Sequence, residues 1–397
     1  MIGSGRTERL APVFGGVFLF VLPIAHTVAI RTVSLGLLVL CAGYVWWRGP
    51  PPLPSRGLLL SMGAWAAVAI ASLLWSVDFE YSQGEVRNEV VYPLAAFFAF
   101  YALTPDEARW RLWVRVVTVS AALIAVYAFA NFVRHDNWWY TKAYIGDRNA
   151  YSTYATLVAP MLLAAALDRE LGARWRAAAG AALVLTLGAG ALTQNRVMWV
   201  ALLVAGLALL ATRFRWRTAT RAARTAALAA VLAFTVAGGA YIATVSLTKT
   251  FVPGASLSEQ LEADPRLKIW AYAAERIAER PWLGYGYGRG ILRKDFRAKF
   301  EGNYFNWHGH NLFLNAAMGG GLVLAGALAV LLATLAYALA RGARASPVSA
   351  VALAVLAAAL VKSLTDDVLI RENSLLLWSL AGMALGVAAR GPPLSAR

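Results

Sequence analysis

Residues 311–340 read NLFLNAAMGG GLVLAGALAV LLATLAYALA, without one charged side chain. A run of about 20 apolar residues is long enough to cross a bilayer as a helix, and this run exceeds it. It is therefore expected to span a membrane with a tilt, or to begin above the membrane surface. Comparable runs recur along nearly the whole chain. Of its 397 residues 59% are hydrophobic and 15% charged, against roughly 25% charged in a soluble domain, and the mean hydropathy is +0.57. The fold class expected is an all-α polytopic membrane protein of about 12 transmembrane helices. A β-barrel is excluded because the runs are continuous and rich in Ala, Leu and Val, with no alternation of apolar and polar residues.

The expected spans are residues 11–30, 32–47, 57–76, 89–104, 112–133, 150–167, 176–193, 196–212, 226–246, 311–340, 347–365 and 373–390. The net charge of +16 does not point to nucleic acid, because the basic residues alternate between connections. With the N-terminus inside, the inner connections hold Arg48 and Arg56, Arg109, Arg111 and Arg115, Arg169, Arg174 and Arg176, the group from Arg213 to Arg224, and Arg341 and Arg344. The short outer ones hold fewer, which is the positive-inside pattern. Both termini are thus expected in the cytoplasm. The run after Arg6 and Arg9 reads as a first span and not as a cleaved signal. Cys41, the single cysteine, leaves no disulfide and no thiolate metal site. The organisation expected is 1–245 with nine spans, 246–310 as one large external loop, and 311–397 with three spans.

That loop ends Trp307-His308-Gly309-His310-Asn311, holding two of the chain's four histidines. Earlier come Asp264-Pro265-Arg266, an acidic cap followed by proline in a first helical turn, and the run Pro281-Trp282-Leu283-Gly284-Tyr285-Gly286-Tyr287-Gly288. From Arg266 to Arg280 a period of 3.6 places Leu267, Trp270, Ala274 and Ile277 on one face, so an amphipathic helix along the membrane or over the bundle is expected, ended by Pro281. Gly284–Gly290 does not match dinucleotide spacing, and no Walker lysine follows it.

Several of these residues can carry chemistry. The imidazole of His310 titrates near neutral pH and can take a proton from an acceptor hydroxyl; anchoring the interface at a helix start is the competing account. His308 is the alternate base, and Asn311 can orient either ring. Arg196, after Thr193-Gln194-Asn195, is either a snorkelling residue or an anion clamp aimed into a cavity. Arg266 can join it, because guanidinium groups hold phosphate through paired hydrogen bonds; Arg148, heading an outer-side helix, is a weaker candidate of that kind. Of the other basic residues crowding the loop, Lys268, Arg276, Arg280, Arg289, Arg293, Lys294, Arg297 and Lys299, most are expected to be solvated or to face lipid headgroups. Asp366 and Asp367 follow the eleventh span, where one can polarise a histidine or pair with an arginine, although a Lys362–Asp366 pair at i, i+4 is a sufficient structural account. No Asp-x-Asp motif is present, so neither a metal nor another cofactor is expected.

In these residues the chain resembles the O-antigen ligase/polymerase superfamily of bacterial inner-membrane glycosyltransferases. The likeness rests on the span count, one large loop late in the chain, Arg196 after an external turn, Arg266 followed by Trp270, the Pro281-Trp282-Leu283-Gly284-Tyr285-Gly286 turn, and His310-Asn311 at the loop's end; the additional His308 departs from the pattern. The resemblance implies a glycosyltransferase-C-like architecture with a periplasmic loop and a periplasmic active site. It implies metal-independent, inverting transfer of a preassembled glycan from undecaprenyl pyrophosphate to a sugar hydroxyl of lipid A–core. His310 would then be the general base and Arg196 and Arg266 would hold the pyrophosphate. O-antigen polymerisation and protein glycosylation are the alternatives within the superfamily. Transport of an anionic lipid is the alternative outside it, and the lack of visible internal repeats speaks against that reading.

Overall fold

A computed structural model describes residues 4–135, 148–213, 220–248, 264–300 and 307–391. Among them every regular element is helical. In chain order they are α1 (Ser4–Val21), α2 (Val28–Arg48), α3 (Arg56–Ala71), α4 (Phe79–Val86), α5 (Tyr92–Leu103), α6 (Glu107–His135), α7 (Arg148–Leu167), α8 (Ala173–Leu192), α9 (Arg196–Arg213) and α10 (Arg221–Thr248). Then come α11 (Pro265–Glu279), α12 (Arg293–Lys299), α13 (Leu312–Ala343), α14 (Pro347–Lys362) and α15 (Arg371–Arg390). Nine described helices are long and apolar enough to cross a membrane, and the apolar stretches Leu10–Val21 and Pro347–Lys362 are shorter. The protein is a polytopic all-α membrane protein. Parts of the expected external loop, residues 249–263 and 301–306, lie outside the described residues.

Each expected span contains a helix, but three boundaries follow local chemistry that apolarity does not carry. The first expected span, 11–30, is cut. Pro23 cannot donate a helical hydrogen bond, α1 ends at Val21, and the Thr27 hydroxyl donates to the carbonyls of Val21 (3.1 Å) and Ile24 (2.6 Å) to close the turn. The fourth, 89–104, is α5 preceded by a π-turn at Arg87–Val91, in which the Tyr92 N–H bonds to the Arg87 carbonyl. Pro93 supplies no N–H there, and a wider turn is a common way for a helix to absorb such a defect.

The third is the long run quoted first. Helix α13 is broken at Gly320 and Gly321, the latter with φ 70°. The glycine turn of the loop docks into the break: Tyr285 N–H donates to Met318 O (2.9 Å), Gly286 N–H to Gly319 O (2.8 Å) and Leu322 N–H to Pro281 O (2.7 Å). A Cβ on Gly321 would overlap the Trp282 backbone. These bonds satisfy the backbone groups that the interrupted helix leaves open, which is the condition for non-helical backbone at such depth.

The bundle centre is close-packed. Trp65 and Trp378 stack at 6.0 Å, and Phe97 meets Trp378 edge-on at 6.1 Å. Gly382 and Gly386, one turn apart on α15, let it approach α5 so closely that a Cβ at either would overlap the carbonyl oxygen of Phe97 or Tyr101; this is the small-xxx-small logic of membrane helix pairs.

Helix α11 starts where expected, with Asp264 accepting from Arg266 N–H at 2.9 Å. Its buried face is shifted from the expected one, with Trp270 and Ile277 still packed partly against the core. Ile269, Tyr272 and Ala273 point inward, while Leu267 and Ala274 are exposed. The helix lies on protein: Tyr272 meets Phe296 edge-on at 5.0 Å, and the same small core takes in Tyr285, Leu292 and Met318 of α13.

Candidate active site

The turn Trp307–Asn311 is held from both sides before α13 begins. The Gly309 N–H donates to Asn315 Oδ1 at 2.9 Å, and the His310 N–H donates to His308 Nδ1 at 3.0 Å. This clasp accompanies a left-handed backbone at His310, φ 45°, which a non-glycine residue adopts only when its surroundings hold it there. The two imidazoles lie 3.9 Å apart, and Trp307 meets His308 edge-on at 4.3 Å.

The two histidines are not equivalent. His308 is 3% exposed; His310 is only partly buried. Because His308 Nδ1 accepts a backbone hydrogen bond, its neutral ring carries the proton on Nε2. Burial, then His310 and Arg289, push its pKa well below the ordinary imidazole value, with Asp366 opposing. His308 is therefore a neutral ring whose lone pair is already used.

Beneath the turn lies a buried polar network. Lys362, at the end of α14, is fully buried and donates to Asp366 Oδ2 at 3.0 Å. Asp366 Oδ1 accepts from Asp367 N–H at 2.9 Å. Burial works to raise the Asp366 pKa, but Lys362 and the two histidines outweigh it and keep the group ionised below the usual carboxylate range. Asp367 accepts from Asn315 Nδ2 at 3.0 Å and from Leu369 N–H at 3.2 Å; burial raises its pKa despite Arg289. Asn315 thus links Asp367 to the backbone of Gly309, and the acidic pair supports the histidine turn through hydrogen bonds.

A second side of the site was not anticipated. Arg289 and Arg293 lie against the Trp307 ring at 4.8 and 4.3 Å, so these two are placed by cation–π contact. Arg289 is partly buried there, while Arg293 remains exposed. Arg289 also lines a cavity of about 40 Å³ with Glu89, Tyr287, Asn315 and Asp367, large enough for water. Glu89 is 6% exposed and its Oε1 has no partner among the described residues. Glu85 sits one turn earlier, 3.9 Å from Arg371. Burial, then these carboxylates, raise the pKa of Tyr287. The signal that would have exposed this side is the i, i+4 pair of acids at the mouth of an apolar run, where acids are rare.

The remaining sequence candidates are placed differently. Asn311 caps α13: its Oδ1 accepts from the N–H groups of Phe313 (2.9 Å) and Leu314 (3.1 Å), and its Nδ2 donates to Leu364 O at 3.0 Å. Arg196 opens α9 and donates to Ser246 at 3.0 Å. Arg266 pairs with its neighbour Asp264 at 3.4 Å. Neither arginine's bond reaches the histidine turn. Arg148 opens α7, and its side chain lies outside the described residues. Among the described residues no group of three or more His, Cys, Asp or Glu side chains could hold a metal ion.

The fold and the placement of this polar site at one end of the bundle define a polytopic membrane protein with a candidate active site where its long loop packs on the helices. Residues 181–329 match the family model described as O-antigen ligase. The match covers the later-middle part of the chain and is a likeness to that family over those residues. It takes in Arg196, Arg266, Arg289, both histidines of the turn and Asn315. A search of curated proteins found no match.

Proposed function

We propose that the protein is an O-antigen ligase that transfers a preassembled glycan from undecaprenyl pyrophosphate to a sugar hydroxyl of lipid A–core at the periplasmic face of the bacterial inner membrane. The observation that carries the reading is the inequality of the two histidines: His308 is buried with its Nδ1 accepting the His310 N–H, whereas the His310 side chain is partly exposed. His310 takes the proton of the acceptor hydroxyl. The freed oxygen attacks the anomeric carbon, and the bond to pyrophosphate breaks with its electron pair leaving on the phosphate, inverting the centre. Asp366, ionised and close enough to couple to His310, stabilises the imidazolium that results.

A pyrophosphate leaving group needs cations placed before the reaction. Arg196 and Arg266 each stand in the first turn of a helix, where the dipole adds to the attraction for an anion. Arg289 and Arg293, held beside Trp307, are the cations nearest the histidine turn for the same role. His308 is a positioning residue: it holds the His310 backbone in its left-handed conformation.

The test is transfer by purified protein in detergent, supplied with lipid-linked O-antigen and lipid A–core. Glycosylated core is the expected product. Elongated lipid-linked chains with unmodified core would instead make it a polymerase, and no transfer to either lipid would remove the reading.

A further inference from the structure

At the other end of the bundle, where α14 begins and α9 ends, the helices border an open cavity of about 720 Å³. It is separate from the histidine turn, which meets the opposite end of α14 through Leu312 N–H and Ser363 O. Its walls are apolar, with Trp110, Leu163, Leu187, Leu203, Val231 and Phe234 among them. Its charged lining is mixed, Arg111, Arg169 and Arg213 with Glu107 and Asp168. Arg111 is bound to Asp168 at 3.0 Å and Glu107 at 3.3 Å. Arg169 and Arg213 are exposed and, among the described residues, make no ion pair.

The depth is informative. Along α9 the lining runs from Leu202 to Arg213, which at 1.5 Å per residue is about 16 Å. That is about half of a 30 Å hydrocarbon core. The walls therefore sit within one leaflet and the arginines at its headgroup level. Protein interiors do not keep voids of this size, and water would find few polar partners on these walls. Hydrocarbon of the leaflet is the natural filling, and the unpaired arginines select its headgroup.

We propose that this cavity is a binding site for one anionic glycerophospholipid, its acyl chains between α7, α9 and α10 and its phosphate at Arg169 and Arg213. By the positive-inside reading the lipid belongs to the cytoplasmic leaflet, which separates it from a donor whose pyrophosphate is used at the other face.

Native mass spectrometry of the full chain in detergent tests this, with phosphatidylglycerol, phosphatidylcholine and undecaprenyl phosphate offered in competition. One phosphatidylglycerol is expected to survive activation that strips phosphatidylcholine. Retention should fall by about tenfold in the Arg169→Gln/Arg213→Gln variant, which removes two charge-assisted contacts. Gly206 lines the cavity with open space beyond its missing Cβ, so Gly206→Phe should abolish retention. Equal retention of the neutral lipid by the wild-type protein would overturn the proposal without need of any variant. So would one-for-one displacement of phosphatidylglycerol by undecaprenyl phosphate, which would assign the cavity to a polyprenyl chain.

Discussion

Where α13 begins, Lys362, Asp366, Asp367 and Asn315 are buried and joined by hydrogen bonds of 2.9–3.0 Å, and buried His308 accepts the His310 N–H beside them at 3.0 Å. Where α14 begins, Arg169 and Arg213 stand exposed around a large apolar cavity. One end places charge inside protein and fixes every group's geometry; the other leaves charge at the surface and volume inside. Buried charge is expensive unless paired, so the first end has reason to exist only if the geometry is used. Exposed arginines cost little, and the second end can serve a ligand held by area and by an adaptable headgroup contact.

The largest expected effect breaks the first end. Asp366→Ala leaves Lys362 as an unpaired buried cation and should cost about 3–5 kcal/mol of stability, read as a lowered Tm in detergent. Replacing both partners, Lys362→Met with Asp366→Leu, should restore most of that stability. Transfer should stay lost if Asp366 also serves His310; recovery of transfer with stability would reduce the pair to a structural role. Next, Arg289→Gln should lower transfer by roughly 10- to 100-fold, the worth of about 1.5–3 kcal/mol for a hydrogen bond to a charged group, with Tm changed little.

Smaller effects sharpen the contrast. Gly382→Leu pushes α15 off α5 at the bundle centre and should cost about 1–3 kcal/mol by overpacking, lowering Tm for both ends alike. The folded state holds His308 neutral with a pKa below the unfolded value of about 6.5. The unfolded chain therefore binds more protons, so this contribution is complete above about pH 6.5 and is lost as pH falls below it. His308→Asn, which keeps an acceptor for the His310 N–H, should flatten the fall in Tm between about pH 7.5 and about pH 5.5. Smallest of all, Arg213→Gln at the exposed rim should change Tm by no more than about 0.5 kcal/mol would and leave transfer intact.

Apolar runs made the helices legible, because a membrane span needs length and little else, and Asp264-Pro265 announced α11 through its cap. What apolarity hid were the breaks. Gly319-Gly320-Gly321 in an apolar run reads as helix until the backbone of Trp282–Gly286 is laid against it. The face of α11 was legible at Trp270 and Ile277; Leu267 and Ala274 also fit a helical period but are exposed, whereas Tyr272 is buried by its ring contact with Phe296, a partner far along the chain. His308, His310, Asp366 and Asp367 were legible as polar groups at a helix start and a span end. Their division of labour was not, since it depends on which ring nitrogen accepts the His310 N–H. Arg289 was lost among many basic residues because its distinction is spatial, the Trp307 ring against it. Asn311 carried a true signal with another meaning: asparagine before a long helix is first of all a cap.

The central claim is the asymmetry of His308 and His310, and the direct measurement is glycan transfer by purified His310→Ala and His308→Asn variants under the same conditions. Loss of a general base should lower the rate by about 10²–10⁴-fold in His310→Ala, while His308→Asn, which preserves the acceptor for the His310 backbone, should retain most of the activity. Full transfer by His310→Ala together with an inactive, folded His308→Asn would contradict the account.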